Sequence, residues 1–170
     1  MNVFEAVQAR RSIRAYDASP VPDEVLNRVL ESGRLAPSAS NFQPWHFIVV
    51  TDPKKRQVLS EGRYAKFLTE CPIVIVGCAD TKLSPKWSTV DVTIALQQMV
   101  LTATGEGLGT CWIGSFSEDS VRAHLKVPDQ FKVVAMLALG YPKAKLDFGA
   151  VAAGGRRRKS LEEIVSREEF

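Results

Sequence analysis

The longest helical pattern in the chain runs from Trp87 to Glu106, and it is apolar on almost every side. Val90, Val92, Ile94, Leu96, Met99, Val100, Leu101 and Ala103 wrap most of its circumference. Such a helix cannot rest on a surface with one side in water. It must lie centrally or be covered by a second subunit. Pro72–Cys78 is a continuous apolar run short enough for a buried strand, and Phe131–Leu139 is another, closed by Gly140-Tyr141-Pro142.

The remaining elements arrange themselves around these three. Asn2–Ala9 reads as a short helix with Val3, Phe4 and Val7 on one face. Pro20-Val21-Pro22-Asp23-Glu24 reads as a helix start, with prolines ahead of acids at the positive dipole end. Val25, Leu26, Val29, Leu30 and Leu35 continue that helix; Gly33 weakens its end and Pro37 stops it. Trp45–Val50 is a strand by composition, and Asp52-Pro53 opens a helix carrying Val58 and Leu59. Thr110–Ile113 is a strand, Gly114-Ser115 its turn, and Ser117–Ser120 a helix start running to Leu125. The stretch 143–158, with three glycines, reads as an irregular excursion. Helices interleaved with strands over 170 residues predict one domain, 1–170, built as an α+β or α/β sandwich.

Several function classes drop out. No apolar run is long enough to span a bilayer, and Met1–Glu5 lacks the order of a signal peptide, so a cytoplasmic protein is expected. Cys71, Cys78 and Cys111 are widely spaced in apolar surroundings and read as small buried hydrophobes. No CxxC pair or HExxH helix appears, so no metal site is expected. Seven of the 22 Lys and Arg lie in two clusters, Arg10, Arg11, Arg14 and Arg156–Lys159. The other 15 are outnumbered by 19 Asp and Glu. The positive surplus is local, which favours a compact anion over a nucleic-acid footprint.

Four segments can carry chemistry. In Arg10–Arg14, guanidiniums can fork onto phosphate, and in an extended chain Arg10, Ser12 and Arg14 share a face. The competing reading is a solvated basic turn pairing with Asp17 or Glu5. In Pro37–Trp45, small residues admit a ligand to the backbone, and Ser38, Ser40, Asn41 and Gln43 offer donors and acceptors. A helix-to-strand loop with local side-chain turns explains the same residues. Gly107–Gly114 is neither a dinucleotide fingerprint nor a phosphate loop. A tight helix–strand join accounts for Gly107 and Gly109, while Gly114 could turn a backbone amide to a ring. Arg156–Lys159 reads as a solvated tail, unless Leu161 and Ile164 dock it.

Taken in order, Arg10–Tyr16, Val21–Leu26, Leu35–Val50, Gly105–Gly114, Leu137–Pro142 and Arg156–Val165 resemble the FMN-dependent nitroreductase family. The resemblance implies a three-layer α/β/α sandwich, α+β in class, with a central mixed, mainly antiparallel sheet. It implies an intertwined homodimer with FMN at the subunit interface. Carried over by position, Arg10, Ser12 and Arg11 meet the phosphate and ribityl chain, and Arg14 the flavin's pyrimidine edge. Pro37, Ser38, Ser40 and Asn41 contact the flavin from the partner chain. Ile113 and Gly114 present backbone amides to the ring, and Arg156 and Arg158 grip the phosphate. Ala39 stands where a second serine is common in the family, and Ile113 where some relatives have glutamate.

The function so implied is an oxidoreductase passing hydride by a ping-pong route from NAD(P)H, through FMN, to nitroaromatics, quinones or related small acceptors. No side chain is nominated as catalytic acid or base, since protons can come from water. A dehalogenase or enone reductase of the same fold, or a non-catalytic FMN carrier, are the other readings.

Overall fold

A computed structural model describes residues 1–143 and 158–170. The elements are α1 (Val3–Ala9), α2 (Asp23–Arg34), β1 (Trp45–Val50), α3 (Pro53–Leu59), β2 (Ile73–Asp80), α4 (Ser88–Gly105), β3 (Gly109–Ile113), α5 (Glu118–Leu125) and β4 (Phe131–Gly140). Short 3-10 turns at Ala39–Asn41 and Lys66–Thr69 lie between them. The expected elements are present within a residue or two of their predicted bounds. The excursion at 144–157 lies outside the described residues.

Local chemistry explains the boundaries. Asn2 and Glu5 cap α1 reciprocally, each accepting the other's backbone amide at 2.9 Å. Asp52 caps α3 by accepting from the amides of Lys54 and Lys55, with Pro53 in the first turn. Gly33 stands one residue before the end of α2 and also has a packing role. It is buried inside the helix, and a Cβ there would sit 2.1 Å from Met99 Cε. Its missing side chain lets α2 close onto α4.

The four strands form one sheet in the order β1-β2-β4-β3, with antiparallel pairing throughout. The parallel component among the described residues is a single bridge, Ser12 to Thr110. Every residue of β2 but Asp80 is buried, so the sheet is covered on both sides. On one side Val74, Val76, Cys78, Met136 and Ala138 pack with Leu59 of α3, Leu68 and Val121 of α5. On the other, Ile73, Ile75, Leu137 and Leu139 meet Val29 of α2 and Val92, Leu96, Met99 and Val100 of α4. A register shift opposite Gly77 and Cys78 gives β4 one extra residue, Val134. The architecture is the expected three-layer α/β/α sandwich.

One half of the expectation for α4 is decided. Its Val92–Ala103 face is central, yet Trp87, Val90 and Ile94 remain exposed along another stripe. Val3, Phe4 and Val7 of α1 are exposed too, and so are Leu161, Ile164 and Val165. Among the described residues, Leu161 and Ile164 therefore do not dock on their own chain.

Leu96 is fully buried beneath the sheet. Leu96→Ala should cost about 2–5 kcal/mol in urea unfolding. A loss below about 0.5 kcal/mol would place that face of α4 in solvent.

Candidate functional site

The arginine segment is fixed by backbone pairing. Arg10 ends α1 with φ −53° and ψ 129°, so the chain leaves the helix extended. The Ile13 amide donates to the Thr110 carbonyl at 2.8 Å, beside the Ser12–Thr110 bridge. The Tyr16 hydroxyl donates to the Ile13 carbonyl at 2.6 Å, and the Lys143 amide to that of Ala15 at 3.0 Å. Gly109 makes this docking possible: a Cβ there would lie 2.7–2.9 Å from the Ile13 side chain. Extended backbone is what puts Arg10, Ser12 and Arg14 in alternation.

Arg10, Arg11 and Arg158 line one open cavity of about 690 Å³ with Val7 and Gln8. Arginines from opposite ends of the polypeptide thus line one cavity. Arg11 is steadied by donating to the Gln8 and Arg10 carbonyls at 2.6 and 2.9 Å. The nearby acids are engaged elsewhere. Glu5 caps α1, and Asp17 accepts from the Ser19 hydroxyl and amide, which hold its carboxyl below the usual range. Arg156 lies outside the described residues. Val7 and Gln8 were not foreseen as lining residues; the helical spacing of Gln8 ahead of Arg11 was the available signal.

The second group of expected residues lies elsewhere. Pro37, Ser40 and Asn41 are exposed and Ser38 is half-buried. Ser40, Asn41 and Gln43 have φ of 50°, 56° and 51°, a left-handed conformation costing roughly 1–3 kcal/mol per non-glycine residue. The Gln43 amide donates to Ser38 Oγ at 2.9 Å, and the Ala39 amide to Asp91 Oδ1 of α4 at 3.2 Å. This turn precedes β1 at Trp45, which pairs with Ala79 near the end of β2. Thr110, beside Ser12, pairs with Leu139, which pairs with Ile73 at the start of β2. The turn and the arginine segment therefore occupy opposite edges and opposite ends of the sheet. Four strand spacings and six residues along a strand separate them by roughly 28 Å. One chain brings Arg10, Arg11 and Arg158 together and holds the 37–43 turn apart from them.

Ile113 and Gly114 close β3. The Ile113 side chain is buried in the core, so only its backbone can face a ligand, while Gly114 is exposed with open space where a Cβ would be. No group of three or more metal-ligating side chains occurs among the described residues. No helix among them is long and apolar enough to cross a membrane. Cys71, Cys78 and Cys111 are buried, and none is in a disulfide. Burial pushes the Cys71 and Cys78 thiols up to about 11.

The Nitroreductase family profile matches residues 7–141. The chain belongs to the nitroreductase family. A provisionally named NADH dehydrogenase/NAD(P)H nitroreductase of Archaeoglobus fulgidus is 36% identical over 154 residues, covering 85% of this chain and 88% of that one. An NADH dehydrogenase of Thermus thermophilus is 30% identical over 174 residues, covering 81% and 85%. Among solved structures, an FMN-dependent nitroreductase of Clostridium difficile superposes with a TM-score of 0.83 at 31% identity, covering 98% and 99% of the two chains. As a nitroreductase-family chain, the protein is related to oxidoreductases over almost its whole length.

The raised thiols set a pH dependence. Their folded pKa near 11 exceeds the unfolded value near 9, so the fold favours the protonated form. This stabilisation is complete below pH 9 and is lost between about pH 9 and 11. The urea midpoint should therefore fall less from pH 8 to pH 10.5 in a Cys71→Ala/Cys78→Ala variant than in the parent chain. An equal fall in both would contradict the burial of the thiols.

Proposed function

We propose that the chain is an FMN-dependent oxidoreductase that uses NAD(P)H to reduce nitroaromatics, quinones or related small acceptors, working as a homodimer with FMN at the interface. The convergence of Arg10, Arg11 and Arg158 on one cavity carries this reading. Guanidiniums gathered at one cavity suit a phosphoryl group, which they bind through planar forks. The donor set thus fits the phosphate end of FMN. When bound, FMN supplies the two-electron relay between nicotinamide and acceptor, each occupying the same site in turn.

The chain's own residues bind and orient. Arg10, Arg11 and Arg158, with Arg156, hold the phosphate; Ser12, held beside Thr110, faces the ribityl chain. Arg14 lies along the same extended segment and meets the pyrimidine edge, where negative charge develops on reduction. A cation fixed there lowers the energy of that charge. Ile113 and Gly114 offer backbone amides. Pro37, Ser38, Ser40 and Asn41 are supplied by the partner chain.

Two observations support the shared site. The separation of turn and arginines across the sheet is longer than a mononucleotide can bridge on one chain. The exposed apolar stripes of α1, α4 and the C-terminal tail need a cover that their own chain does not provide. A second copy provides it.

Purified protein should run as a dimer on gel filtration, be yellow, and oxidise a reduced nicotinamide when a quinone or nitroarene is added. Each charged contact contributes about 1.5–3 kcal/mol, roughly 10- to 150-fold in affinity. Arg10→Ala/Arg158→Ala should therefore elute colourless. Parent protein that cannot take up FMN would overturn the assignment.

A further inference from the structure

Asp91 is the one acid within α4, a helix otherwise almost devoid of charge, and it is 3% exposed. Its Oδ1 accepts from the Ala39 amide at 3.2 Å, while its Oδ2 is buried with no hydrogen-bond partner. A buried carboxylate with an empty oxygen is costly, and a packing role would be filled better by an apolar side chain. The group it holds is a turn in which three of the four residues Ser40–Gln43 have left-handed backbone. That conformation persists only where its surroundings impose it. The turn's other hydrogen bonds are local: the Asn41 and Phe42 amides donate to the Ser38 and Ala39 carbonyls, the Gln43 amide to Ser38 Oγ, and Gln43 Nε2 to the Asn41 carbonyl. Asp91 alone among these partners ties the turn to the buried core.

We propose that Asp91 is a positioning residue: its carboxylate clamps the Ala39 amide and so fixes the donors and acceptors of residues 38–43 in the geometry a ligand meets. This rests on the reading of that turn as part of the FMN site. Asp91 itself lies under the turn and touches no substrate.

Hydrogen exchange of the FMN-free protein tests the clamp independently of flavin binding. Asp91→Ala should raise exchange at the Ala39 amide about tenfold or more, with the melting temperature kept or raised. Asp91→Asn retains an acceptor oxygen and should bring exchange back to within about threefold of the parent. In the loaded protein, Asp91→Ala should weaken FMN about tenfold, leaving binding of inorganic phosphate at the arginines unchanged. Unaltered Ala39 exchange in Asp91→Ala would overturn the proposal. So would a lowered melting temperature with exchange raised uniformly along the chain, the mark of a purely structural residue. Failure of Asn to rescue would do the same. If Asp91→Ala does not fold, Ala39→Pro deletes the donor instead; Ser38 already has the extended backbone a following proline needs (φ −141°, ψ 156°). Ala39→Pro should weaken FMN comparably, and unchanged affinity would refute the clamp. Should the parent protein bind no FMN, the function proposed above fails, while Ala39 exchange still decides the role of Asp91.

Discussion

Strands β2 and β4 are apolar on both faces, and most of the structure follows from that constraint. Their burial demands helices above and below, and α2 and α4 on one side with α3 and α5 on the other satisfy it. It leaves no polar position at the middle of the sheet. Chemistry is displaced to the two edges, where β1 and β3 each keep one side open. The arginine segment pairs along the open side of β3, and the strained 38–43 turn enters β1. These points therefore sit at opposite corners of the sheet.

The electrostatics fit this division. Outside its two basic clusters the chain carries more acid than base. Positive potential is concentrated where Arg10, Arg11 and Arg158 meet, a small target suited to a single phosphoryl group. Ile13 and Ala15 hold the segment by backbone hydrogen bonds. Arg56 makes the contrast clear. It is buried and donates to the carbonyls of Leu68, Thr69 and Cys71, so its charge serves the fold.

Much of this was legible in the sequence because it rests on periodicity. The apolar runs at 72–78 and 131–139 and the nearly all-apolar α4 specify a sheet buried on both sides, whatever the details of packing. The convergence of both chain ends was legible through the order of the motifs and their resemblance to a known family. Other features depend on contacts that no local pattern encodes. Gly33 reads only as a weak helix end, and the sequence does not show that Met99 fills the space of its missing Cβ. The register shift at Val134 has no local sequence signal. Leu161 and Ile164 have apolar spacing that promises docking, yet both are exposed among the described residues. Asp91 left a trace, a charge in an apolar helix, without indicating which amide it would hold.

The central claim is that each ligand site takes its arginines from one chain and its turn from another. Mixed dimers test it most directly. One parent carries Arg10→Ala/Arg158→Ala. The other carries Ser40→Pro, which cannot adopt φ near 50° and so breaks the turn. Neither homodimer should retain FMN. Unfolding and refolding them together should restore FMN binding, because a hybrid pairs one intact arginine set with one intact turn. A mixture as colourless as its parents would show that each site is built within a single chain.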